Sequence, residues 1–216
     1  MKKSGRYHTS TLVEDQYEPG SRGRVLKNLL GIKSKREMDA REALEQLRTF
    51  QELVGIYSLD HRFTAQDICR MHKLWLGGIY PWAGVPRQVN ISKGDFTFAM
   101  ASQVPKLLHQ LETGPLAEFT PCRFSDMETL VQALAAVHTE LVLIHPFREG
   151  NGRIARILAV LMGLQAGLPP LNFEGIRGAK KQAYFTAVQA GMNYNYQPME
   201  QVFRSVIART LRAGKQ

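Results

Sequence analysis

An all-α domain carrying one short β-hairpin is the fold class this sequence predicts, and three observations carry the prediction. Apolar residues recur at helical spacing through most of the chain, Ser/Thr-x-x-Glu arrangements open several of those stretches, and only residues 79–99 change to strand-like alternation. In chain order, residues 1–24 are polar and rich in Gly, Ser and Arg, with "EPGSRG" at 18–23 as a turn signal. They read as a flexible N-terminal arm before a domain over 25–216. Ser34-Lys-Arg-Glu37 forms a capping box, and a helix over 34–54 follows, with Met38, Leu44, Leu47 and Leu53 available as its apolar stripe. A second helix starts near Thr64, capped by its hydroxyl and Asp67, and runs to Leu76 before Gly77-Gly78. Val89, Ile91, Phe96 and Phe98 then alternate with polar neighbours across Lys93-Gly94, the pattern of a hairpin.

Helical pattern resumes over 100–113, "TGPLAEFTPCRF" reads as a loop, and Ser125 with Glu128 opens a long apolar helix that ends against Pro146. "RIARILAVLMGLQ" is apolar nearly all round, which predicts a central buried helix terminated by Gly167-Leu-Pro-Pro. Helices over 179–191 and 198–212 complete the domain, with no internal repeat and no low-complexity segment.

With 216 residues, 44% hydrophobic and 22% charged, the chain can bury a core without disulfides or a structural metal. No apolar run approaches the roughly 20 residues of a membrane helix, and "MKKSGRYH" is not followed by a signal-peptide core. A cytoplasmic location is the default expectation. Cys69 and Cys122 lack ligand or CxxC spacing and read as unpaired thiols. Lys and Arg exceed Asp and Glu by 28 to 19, a net +9 that suits nucleotide, nucleic acid or an acidic protein. Because no helix carries a dense basic stripe, direct nucleic-acid binding is disfavoured.

The chemistry concentrates in "HPFREGNGRIAR", residues 145–156, between two apolar helices and therefore on a loop at the centre of the core. Gly150-Asn151-Gly152 lets the backbone approach a ligand, and free amides at the following helix N-terminus bind anions. Arg153 and Arg156, three apart, can both reach phosphate oxygens. Glu149 beside an anion cradle makes sense when a cation lies between, so it is the candidate Mg²⁺ ligand. His145 is the candidate general base. Each piece has a bland alternative: a satisfied core histidine, a plain turn, and arginines that merely pair with Glu149.

The stretch resembles the Fic-family signature, His-Pro-Phe-x-[Asp/Glu]-Gly-Asn-Gly-Arg-x-x-Arg, at every defined position. "YPWAGVPR" resembles the segment before the Fic flap, "NISKGDFTFA" the flap hairpin, and "NYNYQPM" the segment closing the nucleotide side. The resemblance implies a helical fold and AMP transfer from Mg-ATP to a Ser, Thr or Tyr hydroxyl of a protein. His145 would deprotonate the hydroxyl, Glu149 would hold Mg²⁺, and Gly150, Asn151 and Gly152 would form the anion hole. Arg153 would brace the polyphosphate and Arg156 the γ-phosphate, with Asn151 and Arg153 sharing in catalysis. The flap, Asn90, Ile91, Ser92, Lys93, Gly94, Asp95 and Phe96, would dock the target as an added strand, with Lys93 and Gly94 also on the nucleotide side. Tyr184, Asn193 and Tyr194 would line the base pocket or serve as packing residues. Doc-type relatives carry Lys in place of Gly152 and phosphorylate, so Gly152-Arg153 resembles the adenylylating branch.

Many Fic proteins are held inactive by [Ser/Thr]-x-x-x-Glu-[Gly/Asn]. Ser10-Thr-Leu-Val-Glu14-Asp15 fits through Glu14 and departs at Asp15, leaving Ser10 and Glu14 as candidate inhibitory residues beside a separate small antitoxin. The entry segment resembles stand-alone Fic toxins and secreted effectors, which implies type II topoisomerase subunits as candidate targets. Two other readings stay open: Fic chemistry with UTP, GTP or a phosphocholine carrier as donor, and a catalytically idle protein-binding module.

Overall fold

The computed structural model describes residues 11–176 and 178–214. From Leu12 onward the expected arm is folded onto the domain. A 3-10 turn, Val13–Asp15, precedes an antiparallel bridge between Tyr17 and Leu26. Glu18 N–H donates to Val25 and Lys27 N–H to Gln16. Paired backbone groups and the buried Val25 and Leu26 hold this segment, which a polar composition alone does not reveal. Ser10 and the residues before it lie outside the described residues.

Helix α1, Lys35–Ile56, is capped at Ser34, whose hydroxyl accepts from Glu37 N–H. Its buried face is Met38, Glu42, Thr49 and Leu53, whereas Leu44 and Leu47 are exposed, contrary to expectation. At 3.6 residues per turn the first four share one narrow arc, and Leu44 and Leu47 point away from it. Helix α2, Ala65–Leu76, opens with a capping box between Thr64 and Asp67 and packs against α1. Strands β1, Ser92–Lys93, and β2, Phe96–Thr97, pair antiparallel in the register Ser92↔Thr97 and Lys93↔Phe96. The turn is therefore Gly94-Asp95, one residue later than read, with Gly94 at φ +59° as the first position of a II′-type turn allows.

A 3-10 turn leads into α3, Val104–Leu111, and the helix does not stop at the expected loop. It widens into a π turn, Glu112–Leu116, around Pro115 and continues as α4, Ala117–Phe119. Proline lacks an N–H, and local widening is one way a helix absorbs that. Helix α5, Met127–Ile144, is capped by Asp126, which accepts from Thr129 N–H at 2.7 Å, and not by Ser125. By length and composition α5 could cross a membrane, at variance with the reading that no run approaches that length, but 67% of it is buried inside the molecule. It is the core helix, packed on α6, Asn151–Gln165, on α8, Gln197–Ala213, and on α7, Ala179–Ala190. The loop 145–150 thus joins the two central helices, under the hairpin.

Candidate active site

Residue 145 ends α5 in the left-handed region, φ 51° and ψ 58°, a conformation common just past helix ends but strained for a side-chain-bearing residue. Arg87 holds this turn. Its buried guanidinium donates to the carbonyls of His145 at 2.6 Å, Ile144 at 3.3 Å, Val89 at 2.7 Å and Ala99 at 2.6 Å. The first two cap α5 and the others are the two roots of the hairpin, so one cation ties the hairpin and the loop after α5 together. The His145 ring stacks on Phe98 at 3.6 Å between centroids. Its Nδ1 lies 3.0 Å from the Val142 carbonyl. Nδ1 therefore carries the proton, and Nε2 is left as the acceptor. Burial pushes the His145 pKa down to about 4, which keeps the ring neutral.

The loop beyond is held from three sides. Phe147 is fully buried and stacks on His72 at 3.8 Å. His72 accepts from Gly84 N–H through Nδ1 and donates through Nε2 to the Glu149 carbonyl, neutral because burial lowers its pKa to about 3. Asn151 is 3% exposed, and its side chain accepts from Phe147 N–H at 2.8 Å and donates to the Phe147 carbonyl at 2.7 Å. The sequence reading placed Asn151 in the anion hole and in catalysis. Its side chain braces the loop, and what it offers an anion is its backbone N–H. Gly150, at φ +83°, sits over Trp75 so closely that a Cβ would come within 2.7 Å of the indole. The N–H groups of Asn151 and Gly152, at the first turn of α6, have no partner among the described residues.

A cavity of about 700 Å³ opens over these amides, lined by the hairpin, the loop, α6 and α7. Lys93, Arg148, Arg153, Arg156 and Lys181 line it against the single carboxylate of Glu149. Such a field favours a polyphosphate. Arg153 stacks on Trp75, with Cζ 4.5 Å from the ring, and pairs with Glu42 at 2.7 Å and Glu149 at 3.4 Å. Arg156 lies near Phe173 and Tyr184, with its Nε buried and unpartnered. The Glu149 side chain is 49% exposed. Among the described residues no cluster of three or more His, Cys, Asp or Glu exists, so a Mg²⁺ ion here would draw most of its oxygens from phosphates and water. A half-exposed carboxylate beside open amides fits that ion.

Of the flap residues, Ile91, Ser92, Lys93, Gly94 and Phe96 line the cavity. Lys93 reaches across it, with Nζ 3.9 Å above the Phe185 ring on α7. Asp95 is outside the lining, and Asn90 ties the hairpin root by accepting from Ala101 N–H. Tyr184 lines the cavity as expected, and its hydroxyl donates to His138 at 2.8 Å. Asn193 and Tyr194 do not line it, and Tyr194 is 80% exposed, because they form the turn that follows α7. Lys181, Gln182, Phe185 and Gln189 take the place assigned to them. Glu14 is buried and accepts from Gln88 N–H at 2.6 Å, and no contact joins it to Arg156 among the described residues, against an inhibitory pairing. The free thiols carry no nucleophile: burial raises both, Cys122 to about 12. Glu42, Arg87 and His72 escaped sequence reasoning. A helical wheel through Met38 and Leu53 does pass through Glu42, which is the one signal available for it.

Comparisons with known proteins agree with this geometry. Residues 62–162 match the Fic/DOC family. The chain is 34% identical over 144 residues to the protein adenylyltransferase VbhT of Bartonella schoenbuchensis, covering 66% of this chain and 30% of that relative. It therefore spans about a third of that protein's length. It is 27% identical over 192 residues to the probable protein adenylyltransferase Fic of Escherichia coli, 85% of this chain and 88% of that one. The crystal structure of the effector BepC of Bartonella tribocorum, with bound AMPPNP, superposes with a TM-score of 0.67 at 26% identity, covering 84% of this chain and 91% of that chain. Residues 62–162 of this chain therefore form a domain of the Fic/DOC family.

Proposed function

We propose that this chain is a nucleotidyltransferase that moves AMP from Mg-ATP to a hydroxyl of a protein. The observation that carries the reading is His145, which lines the cavity together with Asn151 and Gly152 and whose Nδ1 is tied to Val142, leaving Nε2 as its acceptor. Nε2 accepts the proton of the incoming hydroxyl. The oxygen so freed attacks the α-phosphorus, an O–P bond forms as the bond to the β-phosphate bridging oxygen breaks, and pyrophosphate leaves. The open amides and Arg153 and Arg156 hold phosphate oxygens and stabilise their charge in place, so catalysis is mostly positioning and electrostatics with one base. Mg²⁺, when bound at Glu149, supplies charge neutralisation on the polyphosphate. The hairpin edge over the cavity supports docking of an extended target segment. The likeness to the effector BepC supports an effector-like setting, and the resemblance of the entry segment to stand-alone toxins supports a toxin-like one.

The test is label transfer onto proteins of a bacterial lysate from ATP labelled at the α- or the γ-phosphate. Label from the α position alone, reduced about 10²-fold or more in His145→Ala, is the expected result. Label from the γ position would make the chain a kinase and refute the proposal.

A further inference from the structure

Glu42 is 3% exposed, far from the motif in sequence, and a buried carboxylate is tolerated only when both oxygens are engaged. Here Oε1 accepts from the Tyr80 hydroxyl at 2.6 Å and Oε2 pairs with Arg153 at 2.7 Å. The main chain is fixed as well, since the Trp75 indole donates to the Glu42 carbonyl at 2.9 Å. The same indole ring carries the Arg153 guanidinium on its face. Arg153 thus has two acidic neighbours that differ in kind. Glu42 is close, buried and rigidly held, whereas Glu149 is 3.4 Å away and 49% exposed, where water weakens the pairing.

We propose that Glu42 is a positioning residue that anchors Arg153 and limits its hold on Glu149 to the 3.4 Å contact at Oε1, which also accepts from Gly150 N–H, so that Glu149 Oε2, without a hydrogen bond among the described residues, stays open to a divalent cation while Arg153 faces the phosphates. The inference rests on the reading that Glu149 holds the cation of a Mg-nucleotide. With Glu42 neutralised, Glu149 is the remaining carboxylate that pairs with Arg153. Cation and guanidinium then compete for the same oxygens. Glu42 is not a catalytic residue, since its carboxylate is taken up by Tyr80 and Arg153.

The experiment measures Mn²⁺ binding by electron paramagnetic resonance in the presence of a non-hydrolysable ATP analogue, for wild type, Glu42→Gln, Arg153→Ala, the double variant and Glu149→Gln. Glu42→Gln is expected to weaken Mn²⁺ binding roughly fivefold, the scale of a partly exposed ion pair. In the Arg153→Ala background the same change has no further effect, because the competitor is gone. Equal weakening in both backgrounds would mean a merely structural role and overturn the proposal, as would no weakening in wild type. Mn²⁺ binding that ignores Glu149→Gln overturns the reading of Glu149 itself, and the inference with it. Glu42→Asp keeps the charge but withdraws the carboxylate by one methylene. It gives the same direction in smaller measure, and decides the matter if the Gln variant does not fold.

Discussion

At the scale of single residues, Gly150 and Gly152 bracket the same turn but obey different constraints. Gly150 has φ +83° and a Cβ there would meet Trp75 at 2.7 Å, whereas nothing lies within 4 Å of a Cβ at Gly152. Gly150→Ala therefore combines backbone strain with a clash against a fully buried ring and is expected to cost about 2–4 kcal/mol. Gly152→Ala sits inside the first turn of α6, where Ala is the better helix former, and should leave stability unchanged or raise it by up to about 1 kcal/mol. Chemical denaturation of the two variants measures the contrast, and equal losses would contradict it. At this scale the motif was legible in the sequence, because its parts lie within one turn of chain and their geometry is local. The part played by the Asn151 side chain was not legible, for a related reason. The Asn151 backbone N–H stays available to an anion, but only the path of the loop shows its side-chain amide closing on Phe147 four residues back.

At the scale of elements, the hairpin and the end of α5 act as one piece because Arg87 donates to carbonyls of both. Arg87→Met leaves four buried or half-buried carbonyls short of a donor, an expected loss of about 2–4 kcal/mol. The loss should show locally first. Hydrogen exchange at the amides of Phe98 and His145, which bond to Ile91 and Leu141, should accelerate more than at amides in the middle of α8. A uniform acceleration would mean that Arg87 only supports global stability. The helices themselves were readable where capping and periodicity agree, as at Thr64 to Leu76. They were misread where two signals competed. Ser125 and Asp126 are both good caps, and the neighbour that wins is set by which side chain reaches the Thr129 amide. The segment from Thr113 on was read as a loop, yet the chain continues past Pro115 as a π turn with Leu116 at 0% exposure.

For the whole molecule, three histidines are held neutral inside the fold. Burial lowers His72 to about 3 and His138 and His145 to about 4, all from 6.5. Below pH 6.5 the unfolded chain takes up these protons and the folded chain does not. Stability is therefore fully present above that pH and falls as pH drops toward 4, by about 1.4 kcal/mol per pH unit for each histidine. Denaturant midpoints measured between pH 7 and pH 4.5 should show this decline, and His138→Asn should flatten it by about a third of the histidine contribution. A stability profile level across that window would refute it.

The sequence by itself determined the helical class, the hairpin, the caps at Ser34 and Thr64 and the residues 145–156, because each is a matter of neighbours within a few positions. The tertiary structure alone decided which charged and polar side chains are buried and what they do: Glu42 on Arg153, Arg87 on the α5 terminus, the neutral His72 under Glu149. It also decided that α7 and not the following turn lines the cavity, and that Glu14 docks on residue 88. The physical reason is the same in each case. A buried charge or a bent loop is stable only with partners brought from distant parts of the chain, and no local pattern carries the identity of those partners.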